Sequence, residues 1–137
     1  MKITQKLVNE IAYEIVGCAI EVHKQMGPGL MESVYELCMI EELQDRGLGV
    51  ASQVKIPLLY KGKPLDKWHV LDLLVNDLII VELKAVEQII PLFKAQLLSY
   101  LNLAQKPKGL LINFQCMNIS KQVVPLVSSA FAQLPPD

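Results

Sequence analysis

Histidine is scarce in this chain: only His23 and His69 occur among 137 residues. That excludes a histidine-rich metal centre, so any cation would be held mainly by oxygen, which points to Mg²⁺ or Mn²⁺. Cys18, Cys38 and Cys116 are odd in number and far apart, with no Cys-x-x-Cys pair. Neither a disulfide framework nor a zinc knuckle is indicated, and the three read as small core residues. Although 52% of the chain is hydrophobic, a charge or proline interrupts each apolar run well before a membrane-spanning length of roughly 18 residues. The N-terminus has a basic start, but Glu10 and Glu14 interrupt the next helix-like stretch and deny it a signal-peptide core. The expected setting is cytoplasmic. A Gly-rich phosphate loop is also missing, which leaves a nucleotide-sized phosphate pocket without its usual cradle.

Length and apolar content predict one domain with a substantial core. The high apolar content also fits a homodimer interface, and an ordinary dense core explains it equally. A net charge of −1 conceals an asymmetry. Residues 1–45 hold three lysines against eight acids, whereas residues 46–137 hold ten basic residues against six acids. Lys55, Lys61, Lys63 and Lys67 cluster around a Gly-Pro turn. Such a patch suits a phosphate polymer, and it equally suits a solvated hairpin.

The informative stretch is Asp72 to Lys84, where two apolar, strand-like runs flank Asn76-Asp77. Strand side chains alternate faces, so Glu82 and Lys84 share one face while Ile79, Val81 and Leu83 line the other. The turn decides whether Asp72 joins them. A two-residue turn pairs Asp72 with Val81 and puts Glu82 on the opposite face. A three-residue loop, on this reading, pairs Asp72 with Ile80 and Glu82 with Val70, making the carboxylates same-face diagonal neighbours roughly 7–8 Å apart. Asn76 and Asp77 both tolerate left-handed backbone, so the odd-length turn is predicted. Glu-x-Lys by itself is common on wetted strands. Asp72, however, sits inside Val70-Leu71-Asp72-Leu73-Leu74-Val75, where a carboxylate needs a partner such as Lys84 or a cation.

Around this stretch the periodicities predict an amphipathic helix over 4–25 and, after Gly27-Pro28-Gly29, a second over 30–46. The second helix buries Met31, Val34, Tyr35, Cys38, Met39 and Leu43. Glu32 in its first turn suits the helix dipole, or faces the sheet as a metal ligand, and spacing leaves both open. Strands come next at about 50–60, 67–75 and 78–84 as an antiparallel meander, with Pro57 marking an edge and Lys61-Gly62-Lys63-Pro64 a turn. A helix from Pro91 to Ala104 places Gln96 and Tyr100 one turn apart. Strands over 109–114 and near 119–124, then a short helix near 125–133, complete an α/β domain with a mixed sheet.

These residues resemble a known family. Gly29-Leu30-Met31-Glu32-Ser33-Val34-Tyr35 matches the GxxExxY signature of a small bacterial and archaeal family assigned to the PD-(D/E)XK nuclease superfamily. The similarity extends through Asp72-Leu73-Leu74-Val75, Val81-Glu82-Leu83-Lys84-Ala85-Val86, Gln96-Leu97-Leu98-Ser99-Tyr100-Leu101 and Leu110-Leu111-Ile112-Asn113-Phe114. It implies a restriction-endonuclease-like core, a mixed central sheet flanked by helices. Asp72 and Glu82 then look like the metal-binding acids, Lys84 like the motif lysine and Glu32 like the helical acid. Gln96 and Tyr100 resemble the Gln-x-x-x-Tyr helix motif of RecB-type members. One departure is Val70, where related sequences carry arginine.

The resemblance implies hydrolysis of nucleic-acid phosphodiesters, of DNA in preference to RNA. Mg²⁺ or Mn²⁺ would be held by Asp72, Glu82 and the carbonyl oxygen of Leu83, with Glu32 contributing directly or through water. The rival expectation is a nuclease-fold binding or assembly module without catalysis, in which Asp72, Glu82 and Lys84 form a buried salt-bridge network.

Overall fold

Thr4 starts the first helix: its hydroxyl accepts the Leu7 N–H at 3.0 Å, satisfying one of the otherwise orphaned first-turn donors. In the computed structural model, which describes residues 2–137, α1 runs Gln5–Met26 and closes at Gly27, whose N–H bonds His23 O at 2.8 Å. Ile11, Ile15, Cys18, Ala19 and Val22 of its stripe are buried, as the spacing predicts, whereas Leu7 is only half-buried and Val8 takes the buried place instead. α2 spans Glu32–Asp45, shorter than predicted. Gly29 has φ +102, outside helical backbone, and Leu30 gives its N–H to the Tyr35 hydroxyl. Met31 is consequently the N-cap and 75% exposed, not part of the buried stripe.

Five strands form one sheet in the order β1 (Val50–Tyr60), β2 (Lys63–Val75), β3 (Ile79–Lys84), β4 (Lys108–Asn113), β5 (Val123–Val127). β3 and β4 are parallel and all other neighbours antiparallel. α3 (Pro91–Ala104) makes the crossover between the parallel pair. Helices α1 and α2 cover one face around Leu73, Val81 and Ile112, and α3 covers the other around Ile80, Leu97 and Leu111. Covered on both sides, β3 and β4 are almost wholly buried, which is why they read as continuous apolar runs. This is the mixed-sheet α/β, restriction-endonuclease-like fold. Among the described residues no helix is long and apolar enough to cross a membrane.

β1 is an edge strand, as Pro57 implies. The hairpin turn narrows to Lys61-Gly62, both at positive φ, the backbone a two-residue hairpin requires. The C-terminal boundaries differ from expectation. Ile119–Lys121 is a short 3₁₀ turn, the strand begins only at Val123, and α4 covers just Ser129–Ala132. Pro125, expected to open a helix, pairs instead with Leu110 in β5. An edge strand tolerates the missing N–H on its open side.

Candidate active site

The loop between β2 and β3 is Asn76-Asp77-Leu78, with Asn76 at φ +50 and Asp77 at φ +57. The predicted odd length therefore holds. The predicted register does not: Ile80 pairs with Leu74, not with Asp72. Two residues of slip preserve the faces, because side-chain alternation has period two. Continued by one step, the register sets Asp72 opposite Glu82 rather than diagonal to it.

The β2–β3 ladder nevertheless stops at Leu73–Val81. Beyond it the two carboxylates replace the main-chain bonds. Glu82 Oε2 accepts the Asp72 N–H at 2.9 Å, and Asp72 Oδ2 accepts the Leu83 N–H at 2.8 Å. On its other side Asp72 should meet Gln53, but Gln53 has φ +54 and the β1–β2 register skips that pair. Asp72 thus sits at a fork where β2, still paired with β1, parts from β3. The strand turns over there, since Leu71 packs with Leu97 on the α3 side and Leu73 packs on the α1–α2 side.

The fork opens a cavity of about 140 Å³ whose walls include Asp72, Glu82, Lys84, Gln96 and Tyr100, with Glu32 at its rim. A second, of about 190 Å³, lies between α2 and the sheet, shares Glu32 and Asp72 and adds Leu83. All the predicted site residues therefore border one region. A larger concavity of about 800 Å³ along α1 contains none of them.

Within the region their roles separate. Glu32 Oε1 accepts the Ala85 N–H at 3.2 Å, tying α2 to the end of β3. Among the described residues no three His, Cys, Asp or Glu side chains converge closely enough to hold a metal ion by themselves. The Lys84 ammonium lies 4.5 Å from the centre of the Phe93 ring, a cation–π distance. Among the described residues no ion pair joins it to Asp72 or Glu82, so the salt-bridge network expected of an inactive module does not form.

Burial first, then the Asp72 charge, pushes the Glu82 carboxyl up to about 8. Two acids share a confined space, and the Asp72 N–H and the Lys84 charge offset only part of the rise. Burial likewise lowers His69 and, with the two acids, raises Tyr100.

His69 was not legible as a site residue. Its Nε2 lies 3.4 Å from Glu82 Oε1, and its ring stacks on Tyr100 with centroids 3.5 Å apart. Strand parity puts residues 69 and 72 on opposite faces, and only the turnover at Asp72 brings them together. The signature residues also find local reasons. Tyr35 is fully buried, stacks on Phe114 and donates its hydroxyl to Gly27 O at 2.6 Å. It pins the turn that aims Glu32 at the sheet.

The donor set suits a hard cation. Two adjacent carboxylates and a main-chain carbonyl fit Mg²⁺, which commonly takes one or two carboxylates and keeps several waters, better than a metal needing a full protein cage. No curated protein and no solved structure matches the chain. Residues 9–125 match the sequence pattern described as the PD-(D/E)XK nuclease superfamily, from within α1 to the middle of β5, and the chain belongs to that superfamily.

Proposed function

We propose that this chain is a single-domain, metal-dependent nuclease of the GxxExxY type that hydrolyses phosphodiester bonds, of DNA in preference to RNA. Superfamily membership gives a nuclease-type function and a nucleic-acid substrate. The observation that carries the finer reading is the fork, which brings Asp72 and Glu82 together against an open cavity, with no lysine ion-paired to either among the described residues.

Asp72, Glu82 and the Leu83 carbonyl oxygen would hold Mg²⁺ or Mn²⁺, with Glu32 reaching it through water. The bound ion supplies Lewis acidity at the phosphate and lowers the pKa of a water. The protein does the positioning. Both carboxylates are fixed by main-chain donors, so little reorganisation is needed on loading. Lys84, on the same face as Glu82, supplies a positive charge to a phosphate oxygen or orients the attacking water. Gln96 lines the opposite wall from α3 and is placed to hydrogen-bond the phosphate. Tyr100 and His69, stacked together, close the floor beside Glu82.

A catalytically silent nuclease-fold module is favoured by one observation, the lack of a third converging ligand among the described residues. Calorimetric Mn²⁺ titration of the protein and Asp72→Ala, followed by cleavage assays on single- and double-stranded DNA and RNA, separates the two. Binding and cleavage that vanish together in Asp72→Ala establish the nuclease. A parent that binds no Mn²⁺ overturns it.

A further inference from the structure

The β1–β2 hairpin runs past the body of the protein. The last buried position on β1 is Ile56, paired with His69, and every residue from Leu59 to Trp68 is exposed. Its outer part, residues 55–68, carries Lys55, Lys61, Lys63 and Lys67 against one acid, Asp66, on a chain whose net charge is −1. It also exposes aromatic surface that a solvated turn does not need: Trp68 is 57% and Tyr60 62% exposed. The Lys61 ammonium lies over the Tyr60 ring, 5.5 Å from its centre, so Trp68 offers the freer flat face.

Position ties this arm to the fork. Trp68 shares a face with its cross-strand partner Pro57 and, two residues on, with Val70, which lines the Asp72–Glu82 cavity. Two strand residues span about 7 Å, roughly one nucleotide step of an extended chain. Sheet extension by a second protein strand is disfavoured, because Pro57 and Lys55 blunt this edge.

We propose that the β1–β2 arm binds a single-stranded polynucleotide: Trp68 stacks on an unpaired base while Lys55, on the same face beside Val70, neutralises a flanking phosphate, leading the strand to the cavity at Asp72. Cations along a backbone track with an aromatic face for the bases are what unpaired nucleic acid requires. The proposal deepens the nuclease reading and rests on it only for where the strand is led. The arm's own binding is measurable without metal.

Trp68 is the only tryptophan, so intrinsic fluorescence reports this residue alone. The full chain in EDTA is titrated with a 20-nucleotide single-stranded DNA, its duplex and inorganic polyphosphate. The single strand should quench the fluorescence saturably, with binding that weakens steeply as salt rises. By anisotropy of a labelled oligonucleotide, Trp68→Ala should weaken binding roughly 5- to 100-fold while Trp68→Phe keeps most of it. Lys55→Ala should reduce the salt slope by about one. Thermal melts of all variants check folding, and Trp68→Phe keeps the comparison meaningful should Trp68→Ala melt early. Unchanged fluorescence on binding, parental affinity in a folded Trp68→Ala, or polyphosphate or duplex binding as tightly as the single strand would each overturn the proposal. Because the titrations contain no metal, their outcome is independent of whether Asp72 and Glu82 hold a cation.

Discussion

Asp72 and Glu82 each accept a main-chain N–H from the other's strand, at 2.9 Å from Asp72 to Glu82 Oε2 and at 2.8 Å from Leu83 to Asp72 Oδ2. The side chains thereby do what backbone carbonyls do one residue earlier in the ladder. The fork and the acidic pair are one feature, and changes at either position act on both fold and function.

Asp72→Asn separates the two. An amide oxygen can still accept the Leu83 N–H, but the negative charge beside Glu82 is gone. In EDTA at neutral pH the variant should be as stable as the parent or up to about 1 kcal/mol more so, since without the Asp72 charge the Glu82 carboxyl is held less far above its unfolded-state value. Mn²⁺ affinity and cleavage should fall at least tenfold. Denaturant unfolding and calorimetry check the pair, and a clear loss of metal-free stability would show that the charge itself supports the fork.

Lys84→Met keeps an unbranched stem against Phe93 and removes only the ammonium. Cleavage should drop roughly 10²- to 10³-fold, the usual cost of losing one preorganised electrostatic group, with Mn²⁺ affinity little changed. Single-turnover rates beside a metal titration test this, and equal rates would remove Lys84 from the mechanism.

Asn113 is fully buried and uses its whole amide. Nδ2 donates to Val86 O at 2.9 Å and to Gln122 Oε1 at 3.2 Å, while Oδ1 accepts from Val86 N at 3.0 Å. It anchors the segment leaving Lys84. Asn113→Asp turns two donors into an acceptor facing a carbonyl and adds an unpaired buried charge, so a loss of about 3–5 kcal/mol is expected. Urea unfolding measures it, and a loss below 1 kcal/mol would mean the segment is held elsewhere.

Cys18 provides a pH signature remote from the site. Burial pushes its thiol from 9.0 up to about 11, with the Arg46 charge pulling the other way. A folded-state pKa above the unfolded one means stability is fully present below pH 9 and is lost as pH rises towards 11. The loss amounts to roughly 2–3 kcal/mol by linkage. Urea midpoints measured from pH 8 to 11 should decline, and Cys18→Ala should flatten the decline. An unchanged slope would assign the alkaline loss to other groups.

The amino-acid sequence by itself determined the element order, the edge character of β1, the odd-length loop at Asn76-Asp77 and the shared face of Asp72 and Glu82. Each arises from local periodicity or from a backbone preference confined to a few residues. The short α2 start was also local, since Gly29 and the Tyr35 hydroxyl set it, but reading it required knowing what that hydroxyl reaches. Only the tertiary structure decided the rest. Strand parity assumes a straight strand, and β2 turns over at Asp72 because Gln53 and Glu82 both decline the usual ladder bonds. That turnover brings His69 to Glu82, aims the β1–β2 arm away from the body and leaves Lys84 over Phe93 instead of between the acids. A competition between strands for one residue's backbone is a property of the sheet, and no single segment encodes it.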